Sequence, residues 1–181
     1  MPEDQFTLLG DAVWLDFINT AQGRVSPPPD LLPDFDGWRR WAISRKLDPG
    51  TDPSEFPVIR RFRDQLTALA EALHADRPPP GGSIAAMNEL LTHRSGSQRL
   101  TRVSGQWRLQ FAPHRSSTAL ESIARSAAGT LADAGTRVRR CAGQHCSLFF
   151  TDDSPTGSRR WCEADVCGRD RQIERRRGAL R

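Results

Sequence analysis

The chain has four cysteines, Cys141, Cys146, Cys162 and Cys167, spaced C-x4-C-x15-C-x4-C near its end. A structural zinc ion takes four ligands at tetrahedral corners, about 2.3 Å from each thiolate. Two close pairs separated by a hairpin-sized insert supply that set, each pair forming one edge of the tetrahedron. With four protein ligands no coordination position is left open, so Zn2+ held this way is structural and not catalytic. The blander readings are two disulfides or four unrelated buried thiols. No apolar run approaches the roughly 20 residues that cross a bilayer, and the acidic start Met1-Pro2-Glu3-Asp4-Gln5 has no signal-peptide layout. A reducing cytoplasm without membrane partners is therefore the expected setting, and it disfavours disulfides.

Arginines surround the ligands. Arg159 and Arg160 precede the third cysteine, and Arg169, Arg171, Arg175 and Arg176 follow the fourth. Guanidinium groups suit phosphates and guanine edges through paired hydrogen bonds. The competing reading is a solvated tail whose charges balance nearby acids. The charge is distributed unevenly. The whole chain has 26 basic and 22 acidic residues, but residues 137–181 carry 11 arginines against 6 acids, a local +5, and residues 1–136 carry −1. Four thiolates around one zinc bring the segment to about +3. Charge and cysteine thus partition together and place a domain boundary between 136 and 137.

Other chemistry is sparse. The four histidines, His74, His93, His114 and His145, share no metal or triad spacing, and no Walker or dinucleotide glycine pattern is present. The chain is therefore read as a non-enzyme. Asp16 and Asn19 interrupt an apolar stretch. They are candidates to line a ligand pocket, with satisfaction of a buried backbone group as the commoner role for such residues.

The elements that position these groups read as mainly helical, with hydrophobic residues at 37% and mean hydropathy −0.57, a lean core. Residues 11–20 are read as a helix. Trp38, Trp41 and Ala42 mark a short second helix, and Ile59, Phe62, Leu66, Leu69 and Leu73 repeat at helical spacing. The run Pro78-Pro79-Pro80-Gly81-Gly82 ends that helix, and Ser83 is expected to cap the next, whose apolar face is Ile84, Met87, Leu90 and Leu91. Residues 98–111 alternate around Ser104-Gly105-Gln106, a β-hairpin signal. Thr118 and Glu121 fit a capping box for a helix expected to close at Gly135. The tryptophans are expected in the core. Within the cysteine segment, residues 147–150 read as a strand, 151–158 as a turn, and Cys167 as the start of a last helix.

Several of these blocks resemble known modules. Arg140-Cys141, Cys146, Phe149-Phe150-x-Asp152-x-Ser154, Ser158-Arg159-Arg160-Trp161-Cys162 and Cys167-Gly168 resemble the CGNR zinc finger. Leu15-Asp16-Phe17-Ile18-Asn19-Thr20 is similar to the opening signature of the ABATE domain, and Ile123-Ala124-Arg125-Ser126-Ala127 is similar to its last helix. That domain precedes the finger in bacterial proteins described as stress-induced transcription regulators, so the resemblance implies DNA binding. The chain departs from the motif at Cys167-Gly168-Arg169-Asp170, where the family has Cys-Gly-Asn-Arg: the ligands carry over, the namesake Asn and Arg do not.

The expected protein is thus mainly α with a β-hairpin (α+β). Residues 1–136 form an ABATE-like helical domain, and 137–181 a treble-clef- or ribbon-like zinc module of hairpin plus C-terminal helix. The expected function is DNA-binding transcription regulation, with the helical domain sensing a small-molecule effector or forming a homodimer. The alternative is a zinc-stapled protein-interaction module without nucleic acid.

Overall fold

The computed structural model describes residues 6, 9, 12–92, 96–113 and 115–169. The positions read above as His93, His114, Arg171, Arg175 and Arg176, and the helix expected beyond Arg169, lie outside the described residues. Five α-helices and two antiparallel strand pairs make up the described fold: α1 Val13–Ile18, α2 Phe35–Ser44, α3 Phe56–His74, α4 Gly81–Thr92, β1 Gly96–Val103, β2 Gln106–Pro113, α5 Ala119–Ala132, β3 Arg137–Arg140 and β4 Phe149–Asp152. Among the described residues no helix is long and apolar enough to cross a membrane.

The helices form around α1, which is buried along its length from Trp14 to Ile18. Phe17 meets Trp38 edge-on at 5.5 Å between ring centroids and lies 5.2 Å from Trp41, while Trp38 stacks on Trp41. Two indoles keep their N–H partnered inside this cluster: Trp14 donates to Thr130 Oγ1 on α5, and Trp38 donates to the Pro49 carbonyl. Large aromatics thus supply the apolar area that a lean composition otherwise lacks. Ile59, Phe62, Leu66 and Leu69 of α3 and Ile123, Ala124 and Ala127 of α5 complete the core. Arg63, also on α3, is buried but makes a paired contact with Asp30, at 2.7 and 2.6 Å, and donates to Thr20 Oγ1. That fork pins the proline-rich segment between α1 and α2.

Element ends differ from the sequence expectation in two places. Helix α4 begins at Gly81, two residues before Ser83. Ser83 is buried inside the first turn, where its hydroxyl donates to the Gln65 carbonyl and ties α4 to α3. Helix α5 opens on the capping box, with Glu121 N donating to Thr118 Oγ1 and Thr118 N to the Glu121 carboxylate. It closes at Ala132 and not at Gly135, because the Asp133 carboxylate takes the Gly135 amide and the Thr136 hydroxyl and turns the chain out of the helix.

The β1–β2 ribbon turns through Ser104 and Gly105, both with positive φ (49° and 81°), the primed geometry whose twist matches a hairpin. Its side chains stand in solvent. Trp107 is 66% exposed, which corrects the expectation that every tryptophan packs in the core. Strand β3 was not foreseen: Arg137-Val138-Arg139-Arg140 reads as a charge run, yet it pairs with β4 and buries Val138 in the helical core.

Candidate metal centre

Strand β3 delivers Cys141 directly to the site, and Cys141 N donates to the Leu148 carbonyl, closing the knuckle that carries Cys146. Gly143 sits at the tightest point of that knuckle. A Cβ there would lie 3.0 Å from Cys146 Cβ and 3.2 Å from Cys167 Cβ, so a side chain at this position would press the two cysteine pairs apart. After β4 the chain turns through Ser154–Gly157 and returns to Cys162. Cys167 rides on a single wide helical turn, Ala164–Gly168, with its amide bonded to the Glu163 carbonyl. Trp161 packs its ring on Gly168 and shields the cluster edge.

The four sulfurs lie within 4.8 Å of one another. Cys146 Sγ is 3.8 Å from Cys162 Sγ, and Cys162 Sγ is 3.6 Å from Cys167 Sγ. A tetrahedron with zinc–sulfur bonds of about 2.3 Å has edges of about 3.8 Å, so the donor set fits zinc in both chemistry and spacing. All four are free thiols, and the disulfide reading falls. Without a cation the site favours a thiolate at Cys141 and thiols at Cys146 and Cys167. Cys141 Sγ accepts from the Gly143 and Cys162 amides, each at 3.4 Å. The neighbouring Cys146 and Cys162 thiols, with these amides, draw the Cys141 thiol down to about 2. Burial and the negative charge of Cys162 push Cys167 up to about 12, and Cys141 and Cys162 push Cys146 up as well. Four thiolates cannot share this volume without a cation, and a divalent ion is what removes the conflict. The zinc-binding module is structural, since its four protein ligands complete the tetrahedron.

Two residues of the helical body reach into the module. Asn19, at the end of α1, donates its amide to the Phe149 carbonyl and accepts from the Phe149 amide, both at 2.9 Å. One side chain thereby completes the edge of β4 as a neighbouring strand would. Arg24 pairs with Glu163 and points a guanidinium N–H at Cys162 Sγ, 3.8 Å away. Burial alone would lower its pKa, but the Cys162 sulfur and Glu163 hold it above its ordinary value. Between them, Gly23 and Ser147 exchange backbone and hydroxyl hydrogen bonds. No sequence pattern marks Arg24.

The remaining candidates sort by what they touch. Asp16 accepts from the Leu9 amide and pairs with Arg45 at 3.0 Å, deep beside α1. Arg159 is turned inward: it donates to the carbonyls of Thr151, Trp161 and Cys162 and lies 4.6 Å above the Phe150 ring. Its fork staples the insert of the module from within. Arg160 is exposed beside it, over Trp161, and Arg169 is 68% exposed with a long contact to Asp165. Arg137 and Arg140 of β3, not among the expected phosphate contacts, are exposed on the same module. Asp152 explains the Phe-Phe-x-Asp-x-Ser block: it is buried and accepts from both the amide and the hydroxyl of Ser154, shaping the turn after β4.

A family model described as "Putative stress-induced transcription regulator", ABATE, matches residues 11–134. A second, the CGNR zinc finger, matches residues 137–178. No curated protein matches the chain.

Proposed function

Because the chain belongs to the ABATE family and carries a CGNR-type zinc finger, we propose that it is a non-enzymatic, cytoplasmic, DNA-binding transcription regulator. The observation that carries this reading is the placement of exposed Arg160 and Arg169 on a frame that four cysteines make rigid, with Arg137 and Arg140 on the adjoining strand. Exposed guanidinium groups on a fixed backbone frame suit phosphate contacts through paired hydrogen bonds. Arg171, Arg175 and Arg176 extend the same charge along the chain.

The helical domain then serves as the body from which the finger is presented. Asn19 is engaged with the β4 backbone, which supports a role in coupling body to finger, and Asp16 is paired with Arg45 inside the body, which supports a structural role over contact with an effector. The alternative, a protein-interaction module, draws on the missing Asn-Arg of the motif and on the inward turn of Arg159. Fluorescence anisotropy of the zinc-loaded full chain with a short DNA duplex separates the two. DNA binding requires a log–log salt slope of about −0.9 per phosphate neutralised, so about −3 to −5 here. Charge reversal at Arg175 and Arg176 together should shallow that slope. Absence of binding at low salt with zinc fully loaded would overturn the proposal in favour of the interaction module.

A further inference from the structure

The β1–β2 ribbon has two unlike faces. Directly opposed residues share a face, so Gln98/Phe111, Leu100/Leu109 and Arg102/Trp107 form one row of rungs, and Arg99/Gln110, Thr101/Arg108 and Ser97/Ala112 form the other. The first row is apolar, with Leu100 59% exposed, Leu109 68%, Trp107 66% and Phe111 40%. Phe111 lies across Gly96, and Arg102 lies over the Trp107 ring. No residue of the ribbon joins the core clusters. A two-stranded ribbon is marginal in water unless its apolar face is covered.

We propose that this face is covered by the same face of a second copy of the chain, in a two-fold dimer centred on the Leu100/Leu109 rung. The order of the rungs argues for a second copy. With the ribbons antiparallel, the two leucine rungs stack on each other, and the Arg102/Trp107 rung of each copy meets Gln98/Phe111 of the other. The two Arg102 residues are then offset by four residues along the strands, about 13 Å, and each gains an aromatic ring and an amide carbonyl. Residues 96–113 contain no acid, so any parallel stacking would set like charges together. A nucleic acid is a poor occupant, because the centre of the row is aliphatic and bases stack on aromatic rings. The four large side chains expose on the order of 400 Å2 per copy. With Gln98 and Arg102 the pair buries on the order of 1,000 Å2, the lower limit of a specific interface, so the dimer is reversible. Its outer faces then present Arg99 and Arg108 of both copies.

Sedimentation velocity on the zinc-loaded full chain tests this without reference to DNA. The expected result is a monomer–dimer equilibrium with a dissociation constant in the range of about 1–100 µM. Leu109→Lys should weaken it at least about tenfold while far-ultraviolet dichroism and zinc content stay unchanged, since Leu109 is 68% exposed and belongs to neither core cluster of the described residues. Gln98→Glu fixes the rung order: it faces the partner's Arg102 and should tighten the dimer about threefold, whereas parallel ribbons would be driven apart. A monomer throughout that range, a dimer indifferent to Leu109→Lys, or mass gained only with some other protein would each overturn the proposal.

Discussion

Asn19 does the work of a neighbouring strand with one side chain. Its carboxamide has one donor and one acceptor side by side, the same pair that an extended residue offers, and both meet the backbone of Phe149 in a buried site. Removing it by Asn19→Ala would strand two buried backbone groups, at about 1–3 kcal/mol each. The expected loss is therefore about 2–6 kcal/mol in urea unfolding of the zinc-loaded chain, and a loss under about 0.5 kcal/mol would show that water replaces the side chain. Asn19→Asp should not rescue it, because a carboxylate accepts the Phe149 amide but has nothing to donate to the carbonyl. This role was half legible in sequence. An Asn inside an apolar helix end signals a buried backbone partner, but the partner lies 130 residues away, and no local pattern names it. Arg24 carried no signal at all, because its meaning comes only from the sulfur and carboxylate that folding brings to it.

Elements were legible where a local rule acts alone and blurred where tertiary contacts override it. Thr118 and Glu121 form their capping box because the motif is complete within four residues. The starts and ends that shifted did so for side-chain reasons: Ser83 found the Gln65 carbonyl across an interface, and Asp133 ended α5 before Gly135 could. Strand β3 was hidden because three of its four residues are arginines, and its one buried side chain, Val138, gives no periodicity. The segment between α1 and α2 was visible only as a proline break. Its anchor is Asp30, which burial would raise but which the Arg63 fork and the Leu32 amide hold below the ordinary carboxylate value. A carboxyl depressed in the folded state stabilises it above the unfolded value of about 3.9, and this contribution fades as pH falls through the folded value. Asp30→Asn should therefore lower the melting temperature at pH 7 and flatten its dependence on pH below about 4. Equal sensitivity of both proteins to acid would show that the fork adds no net stability.

The molecule as a whole is less divisible than its composition. Charge splits near residue 136, and all the cysteines lie on the basic side, yet Val138 and Phe149 of the finger belong to the core cluster of the helices. Asn19, Gly23 and Arg24 bind the finger from the other side, with Arg24 placed against a zinc ligand. Metal occupancy must then be felt by the helices. A ligand held at about 100 to 1,000 times its dissociation constant adds about 2.7–4.1 kcal/mol to the folded state. In a chain of this size each kcal/mol is worth about 2–4 °C. A strong chelator should thus lower the melting temperature by about 6–15 °C when the transition is followed through the buried tryptophans of the body, Trp14, Trp38 and Trp41. Tryptophan emission also includes Trp161 at the metal site, so helical dichroism at 222 nm is the second readout. Coincident shifts in both would mark one cooperative unit. A helical transition left unmoved by the chelator would mean that the finger melts alone and that its contacts to the body carry no free energy.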